Sequence, residues 1–307
     1  MDWTTDFDQW IAENLPELKV LQDEPMAKHT SFRVGGPAKR MAFPATQEQL
    51  VLLLNAAEKC GARPLVIGNG TNLLVVDEGL DRLVVDTSAG LKAIAMDAES
   101  GLITADAGVT LASLAEFACR ESLTGLEFAH GIPGTVGGAV CMNAGAYDGE
   151  MKQVVECVSV LFPGEGIRTI PCAEMDFGYR RSLLTDHPDA VVLSAVFRLQ
   201  KGEKDAIRAR MNELMGRRKA SQPLEYPSAG STFKRPVGYF AGTLIEQCGL
   251  KGFTVGGAQV SEKHAGFVIN RGGASCADVL SVIGQVQQRV LQATGVELEP
   301  EVKIIRG

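Results

Sequence analysis

The chain has 307 residues, with 30 basic and 37 acidic side chains, a formal charge of −7, and no long block of one sign. Hydrophobic residues make up 45% and charged residues 22%, which excludes an intrinsically disordered chain. Glycine is over-used at 34 residues, about 11% against a usual level of about 7%, while proline stops at 13, so this is no low-complexity glycine/proline chain.

The apolar run at 50–54 is five residues long, far short of the roughly 20 that a bilayer span needs. The opening Met1-Asp2-Trp3-Thr4-Thr5-Asp6 lacks the basic start and apolar core of a signal peptide. A cytoplasmic protein without a membrane partner is expected. The seven cysteines are scattered, the closest pair being Cys157 and Cys172, with no CxxC; free, mostly buried thiols and no metal site are expected. The four histidines, His29, His130, His187 and His264, form no HExxH, which excludes a zincin. An isoelectric point near 5.3 argues against a nucleic-acid partner.

Residues 6–18 read as an opening helix, followed by a turn-rich segment at 30–38. A helix is expected over 47–60, with Leu50, Leu53, Leu54 and Ala57 on one face and Thr46 as N-cap. Short strands follow at 64–67, 73–76 and 83–85. Residues 91–107 read as hairpin strands, and 110–121 as a helix opened by Thr110, with Leu111, Leu114, Ala115 and Ala118 on one face. After a glycine-dense stretch, strands are expected at 154–155, 158–162 and 191–199. The polar segment 201–205 reads as a linker, and 204–219 as a helix. The last part holds a helix at 240–248, strands near 253–260 and 266–269, a long helix at 275–293 and a closing strand at 297–305. Strands and helices in this mixture predict an α+β fold.

Two glycine segments invite a chemical reading. One is Gly68-Asn69-Gly70-Thr71-Asn72-Leu73, directly after a strand. The other runs from Gly131 to Gly149 with six glycines in 19 residues: Gly131, Gly134, Gly137, Gly138, Gly145 and Gly149. Bare backbone lets successive N–H groups converge on an anion, most often a phosphate. Neither segment is GxGxxG, and no GxxxxGK[ST] occurs, so Rossmann and P-loop readings fail. Tight turns and close packing are the competing explanation. Two such loops favour a shared diphosphate ligand.

The landmarks taken together are Thr30-Ser31-Phe32-Arg33-Val34-Gly35-Gly36, Gly68-Asn69-Gly70-Thr71-Asn72-Leu73-Leu74, the long glycine block, Phe177-Gly178-Tyr179-Arg180, Gly230-Ser231-Thr232-Phe233-Lys234 and Glu299-Pro300-Glu301-Val302. In this order they resemble the UDP-N-acetylenolpyruvoylglucosamine reductases, the flavoproteins that complete UDP-N-acetylmuramate synthesis for peptidoglycan. The resemblance covers about residues 25 to 305. It implies two FAD-binding subdomains of the vanillyl-alcohol-oxidase type, at 1–88 and 89–202, and an α+β substrate domain at 203–307. It implies non-covalent FAD held by Arg33, Gly68, Asn69, Gly70, Thr71, Asn72, Leu73, Gly131, Pro133, Gly134, Thr135, Gly137, Gly138, Asn143, Gly145 and Ala146. NADPH is the implied reductant, the enolpyruvyl ether of UDP-N-acetylglucosamine the implied substrate, and a monomer the implied state.

In the implied reaction, hydride goes from flavin N5 to the enolpyruvyl group, charge builds on the substrate carboxylate as an enolate, and the alpha carbon takes a proton. An enolate needs fixed donors or positive charge where its charge develops, and a guanidinium meets a carboxylate bidentately. The resemblance gives that role to Arg180; a surface ion pair is the plain alternative. Ser231 matches the proton donor. A serine is a weak acid, but an enolate carbon is basic enough to accept from it; the alternative is a turn hydroxyl after Gly230. Glu301 matches the acid that assists Arg180, which requires it to be protonated. In a strand, Leu298, Pro300, Val302 and Ile304 would share one face, and Glu299, Glu301 and Lys303 the other. Tyr179 would line the substrate pocket, Lys234 and Arg235 would meet the UDP phosphates, and His264 would face the nucleotide or sit in a loop. The spacing of 51 positions from Arg180 to Ser231 resembles that of the shorter branch of the family, which lacks a tyrosine-bearing lid.

Two other classes compete. A flavin oxidase of the same fold would often tether its flavin through a histidine in the first glycine loop, where this chain has Asn69 and Asn72. A non-catalytic nucleotide-sugar-binding homologue has no need to keep Arg180, Ser231 and Glu301 together.

Overall fold

Five strands make the largest sheet of the structure, a computed structural model that describes residues 3–307. Their order is Gly166–Pro171, Val155–Phe162, Val191–Phe197, Ile103–Asp106 and Ile94–Met96, all antiparallel. Alternation along Val155–Phe162 buries Val158 and Val160 in a core that Leu111, Leu114, Ala115 and Ala118 of helix Leu111–Arg120 join. Thr110 caps that helix by accepting the Ser113 N–H at 3.1 Å, satisfying one of the orphan donors of the first turn.

A second core collects Phe7, Ile11, Leu50, Leu53, Leu83 and Val85. Helix Gln47–Lys59 supplies its apolar stripe at the expected spacing, with Thr46 accepting the Gln49 N–H at 3.2 Å. Strand Pro64–Ile67 pairs in parallel with Leu83, Val84, Val85 and Asp86. A third core is built on helix Cys276–Thr294, whose Val279, Val282, Ile283, Val286 and Val290 are buried at 3/4 spacing. The Ser275–Asp278 capping box starts this helix, and Gly295 at φ 71° ends it. Strands Thr254–Val255, Ala258–Val260 and Val268–Asn270 form a three-stranded sheet beside it.

Two compact units emerge, each made of separated pieces of chain. The first takes Met1–Gln22, Arg40–Asn69 and Arg82–Arg217 and holds the first two cores. The second takes Asp23–Lys39, Gly70–Asp81 and Arg218–Gly307 and holds the third. Among the described residues no helix is long and apolar enough to cross a membrane.

Several expected boundaries move, for physical reasons. The opening helix is Trp3–Asn14, not 6–18: the residue before a proline avoids helical backbone, and Pro16 ends it. The segment 201–205 is not a free linker, because Gln200–Lys201 pairs with Leu123–Thr124 and a helix begins at Lys204. Strand Gly166–Pro171 escapes the sequence reading because it is an edge strand with only Ile170 buried, so it has no apolar alternation. The closing strand shrinks to Lys303–Ile305, paired in parallel with Leu73–Val75. Proline has no N–H to give a ladder, and Pro300 interrupts this one. Alternation nevertheless survives, with Leu298 and Val302 buried and Glu299 and Lys303 exposed.

Candidate active site

In the first unit the two glycine segments meet. A Cβ on Gly68 would lie 2.2 Å from Thr135 Oγ1, so only glycine fits there. Asn69 Nδ2 donates to the Pro133 carbonyl at 2.8 Å. The second segment lies along 107–111. Leu111 N–H donates to the Gly134 carbonyl, Val136 N–H to that of Val109, and Gly137 N–H to that of Ala107, at 3.0, 2.8 and 2.8 Å. Gly137 is closely packed too, its Cβ position being 3.0 Å from Ala107 Cβ. Gly138 differs. It is exposed, and an added Cβ would meet nothing closer than Thr135 Oγ1 at 3.7 Å. With exposed Pro133 and half-buried Gly131 and Gly134, it presents bare backbone outward. An anionic dinucleotide needs such a surface, since no side chain stands in the way of the peptide groups. These residues fit FAD.

Asn143 has another task. It is 1% exposed and sits at φ 40°. Its Nδ2 donates to Glu150 Oε2 at 2.8 Å and to the Gly178 carbonyl at 3.0 Å, and its Oδ1 accepts the Lys152 N–H at 3.0 Å. Gly145 and Ala146 pair with Gly149 and Glu150 across Tyr147 and Asp148, both at positive φ, the backbone of a type I′ hairpin. Asn143 thus ties this hairpin to the turn 178–181, where Gly178 and Arg181 exchange backbone hydrogen bonds of 3.1 and 3.3 Å. Tyr179 and Arg180 form the tip. Arg180 is at φ 55°, and its guanidinium carbon is 5.2 Å from the Tyr179 ring centroid. Non-glycine residues at positive φ are held there by surrounding structure and concentrate at functional sites. Its neighbour Arg181 contacts Asp176 and Asp186 at 2.8 and 2.7 Å.

In the second unit, Phe32 and Val34 are buried and Arg33 between them is exposed at φ 54°. Thr30 Oγ1 donates to the Val34 carbonyl at 2.9 Å, and Arg33 N–H to that of Thr30 at 3.0 Å. Ser31 N–H donates to the Gly70 carbonyl at 3.2 Å, and a Cβ on Gly70 would strike the His29 carbonyl at 2.0 Å. After half-buried Thr71, Asn72 donates from Nδ2 to the Glu301 carbonyl at 3.1 Å, and its own carbonyl accepts the Lys303 N–H at 2.9 Å. Leu73 then pairs with Lys303. Asn72 therefore holds the strand that carries Glu301.

A bridge between Phe233 and Pro300 sets the remaining residues. Glu301 N–H donates to the Thr232 carbonyl and Lys234 N–H to that of Glu299, both at 2.8 Å. Thr232 is 1% exposed. Its N–H donates to Gly266 O at 2.8 Å, and its Oγ1 accepts the Val268 N–H at 2.9 Å. Exposed Ser231, next to this anchored residue, and half-buried Glu301 thus flank one rung. Lys234 forms an ion pair with Glu299. Arg235 lies over the Phe240 ring, 4.1 Å from its centroid. His264 is a turn residue: its Nδ1 accepts the Gly266 N–H at 3.1 Å, and its ring packs edge-on against Phe267. Burial holds its pKa below the usual histidine value, which keeps it neutral near pH 7.

The first unit thus gathers Gly68, Asn69, Gly131, Pro133, Gly134, Thr135, Gly137 and Gly138, and through Asn143 adds Gly145, Ala146, Tyr179 and Arg180. The second gathers Arg33, Gly70, Thr71, Asn72, Leu73, Ser231, Lys234, Arg235, His264 and Glu301. Sequence reasoning missed His130. Its Nε2 is 3.2 Å from Glu116, which Arg208 grips with two hydrogen bonds of 2.5 and 2.6 Å. Its Nδ1 is buried without a partner, at the head of the glycine block. The signal was only its position before Gly131.

Residues 38–170 match the family model described as an FAD binding domain, and 222–305 match the C-terminal domain of UDP-N-acetylenolpyruvoylglucosamine reductase. The UDP-N-acetylenolpyruvoylglucosamine reductase of Agathobacter rectalis is 52% identical, covering 96% of both chains. The protein of the same name from Pediococcus pentosaceus is 49% identical, over 97% of this chain and 98% of its own. The crystal structure of the Thermus caldophilus reductase superposes with a TM-score of 0.79 at 36% identity, covering 94% of this chain and 99% of that one. The α+β architecture, an FAD-binding part followed by a reductase C-terminal domain, is that of these relatives. The chain belongs to the UDP-N-acetylenolpyruvoylglucosamine reductase family.

Proposed function

We propose that the protein is an FAD-dependent reductase that uses NADPH to convert the enolpyruvyl ether of UDP-N-acetylglucosamine to UDP-N-acetylmuramate, a peptidoglycan precursor. The observation that carries this reading is the rung that pairs Thr232, the neighbour of Ser231, with Glu301, in a chain aligned with named reductases over nearly its whole length. The subdivision into 1–88, 89–202 and 203–307 belongs to the same proposal. Three cores, around Phe7 and Leu50, around Val158 and Leu111, and around Val282, support a threefold division, with Phe32, Val34 and Leu74 packed into the last and Leu161, Val191 and Leu193 into the first. The protein works in the cytoplasm as a monomer.

Bound FAD supplies hydride to the enolpyruvyl group once NADPH has reduced it. The chain supplies the rest. Backbone at Pro133, Gly134 and Gly138, with Gly68 and Asn69 beneath, receives the diphosphate. Arg180 pairs with the substrate carboxylate, so that a permanent charge waits where enolate charge develops. Glu301 donates a hydrogen bond to the same carboxylate. Ser231 delivers its hydroxyl proton to the alpha carbon. Tyr179 walls the pocket, and Asn143 positions Tyr179 and Arg180 through the Gly178 carbonyl.

The test is an anaerobic two-step titration. NADPH should bleach the flavin, and the enolpyruvyl UDP-sugar should restore its colour with UDP-N-acetylmuramate as product. A colourless protein that cannot be reconstituted with FAD, or a bleached flavin that only O₂ restores, would overturn the proposal; the second outcome would favour an oxidase.

A further inference from the structure

The loop 175–186 that carries Tyr179 and Arg180 has its foot in the core. Met175 and Leu184 are buried, and Phe177 and Leu183 pack against the same cluster. Leu183 N–H donates to the Met175 carbonyl at 2.6 Å and closes the base. Within the loop Asp176 and Arg180 both hold positive φ, 45° and 55°. Left-handed backbone at residues other than glycine persists only where the surroundings hold it. The two ion pairs of Arg181 are poor candidates for that task. The side chains of Arg181, Asp176 and Asp186 are 48%, 63% and 56% exposed, and ion pairs in water contribute little.

Ser182 is different. It is 0% exposed, and its hydroxyl donates to the Cys141 carbonyl at 2.9 Å. Cys141 is the last residue of helix Val136–Cys141, where the final carbonyls have no partner within the helix. The same helix carries Gly138, about 4.5 Å back along its axis. This bond therefore joins the Arg180 turn to the helix of the glycine block. Asn143 makes a second join, from Nδ2 to the Gly178 carbonyl at 3.0 Å. One tie falls just before Tyr179 and Arg180 in the chain and the other just after them. A segment held at one end can pivot, and a segment held at both cannot. A hydrogen bond sealed from water is also costly to lose, since water does not replace it.

We infer that Ser182 is a positioning residue for reduction of the enolpyruvyl group: its bond to the Cys141 carbonyl fixes the Arg180 guanidinium at one distance and angle from the cofactor loop. The inference rests on the proposed function for the role of Arg180. Ser182 is sealed from solvent and acts only through the turn. A displacement of about 1 Å at such a group slows a reaction roughly 100-fold, and one tether controls that margin.

The experiment compares FAD-loaded wild type, Ser182→Ala, Ser182→Thr and Ser182→Val by stopped flow in the two half-reactions. Threonine and valine share a shape and differ by the hydroxyl, so this pair reads the hydrogen bond even where alanine perturbs folding. Reoxidation by the enolpyruvyl UDP-sugar should slow roughly 10- to 100-fold in the alanine and valine variants and recover largely in the threonine variant. Reduction by NADPH and flavin content should hold in all of them. Calorimetry of the same sugar on the oxidised enzyme, where nothing turns over, should show weaker binding in the same order. A double-mutant cycle separates positioning from plain stability: Ser182→Ala should add nothing to Arg180→Ala. A full additional loss in the Arg180→Ala background overturns the inference. So do wild-type reoxidation by Ser182→Ala and Ser182→Val, equal rates in the threonine and valine variants, or equal losses in the two half-reactions. If wild type reduces the sugar and any of these is found, only the Ser182 assignment falls. If wild type does not reduce the sugar, the proposed function falls and the assignment falls with it.

Discussion

The glycine loops of the first unit and the 230–240 segment of the second both rely on glycine, for different reasons. At Gly68, Gly145 and Gly149 the space a Cβ would need is taken, by Thr135 Oγ1 at 2.2 Å, the Gly149 carbonyl at 2.7 Å and the Phe128 ring at 2.4 Å. At Gly230 and Gly238 a Cβ would meet nothing within 4 Å, and the requirement is φ, +74° and +78°. The first region is folded onto itself and leaves bare backbone only at a few points such as Gly138. The second turns its chain sharply to put Ser231, Arg235 and Phe240 outside. A glycine excess in composition therefore merges two needs: close packing around a cofactor loop, and chain reversal beside a substrate segment.

The comparison breaks most visibly if the two regions do not separate in kinetics. Ser231→Ala removes a proposed proton donor from the second region only. Stopped-flow measurement should find flavin reoxidation by the enolpyruvyl substrate slowed roughly 10²- to 10⁴-fold, with reduction by NADPH nearly unchanged. Equal losses in both half-reactions would contradict the assignment. The next contrast is steric. Gly68→Ala forces Thr135 aside and should cost about 1–3 kcal/mol by overpacking, with reduced flavin content in the purified protein. Gly230→Ala meets no atom and should cost only the left-handed backbone term, about 1–2 kcal/mol, with flavin content intact. Thermal melts and the ratio of flavin to protein absorbance read both; flavin loss in Gly230→Ala alone would reverse the comparison.

Local signals were legible in the sequence and long-range ones were not. Thr46, Thr110 and Ser275 announce their helices because an N-cap acts on the residues just after it. The apolar stripe of Cys276–Thr294 announces its burial in the same way. By contrast, Asn143 and Asn72 read as cofactor ligands, while in the fold their side chains hold the Gly178 carbonyl, 35 positions away, and the Glu301 carbonyl, 229 positions away. Nothing in the composition of a loop says which distant carbonyl its amide will meet. Arg180 and Arg181 are likewise equivalent as letters. Only the turn 178–181 tells them apart, giving Arg181 two aspartates and Arg180 the tip.

Asn143 offers an intermediate test of how the first region supports chemistry outside the loops. Asn143→Ala leaves the Lys152 N–H without its partner and removes one of the two donors to the Gly178 carbonyl, at a cost of about 1–3 kcal/mol for a lost buried hydrogen-bonding group. If Asn143 acts through Tyr179 and Arg180, KM for the enolpyruvyl sugar should rise while flavin content and the rate of reduction by NADPH hold. Flavin loss with unchanged KM would return Asn143 to the cofactor.

The smallest expected effect concerns the clamp at the head of the glycine block. Arg208 hydrogen-bonds Glu116 and holds its carboxyl below the usual glutamate value against the opposing effect of burial, and the charges of Arg208 and His130 add to the lowering. A folded-state pKa below the unfolded one means that the clamp contributes fully above the unfolded carboxyl's pKa. That contribution fades as pH falls through the folded value. The pair is more than one-third exposed, at 39% and 38%, so solvent screening keeps the effect modest. Wild type should therefore lose slightly more melting temperature than Glu116→Gln between about pH 5 and pH 3, and should shed flavin earlier on acidification, because His130 ties the clamp to Gly131. Parallel acid profiles for the two proteins, in both melting and flavin retention, would mean that the glycine block is held by its backbone bonds to 107–111 alone.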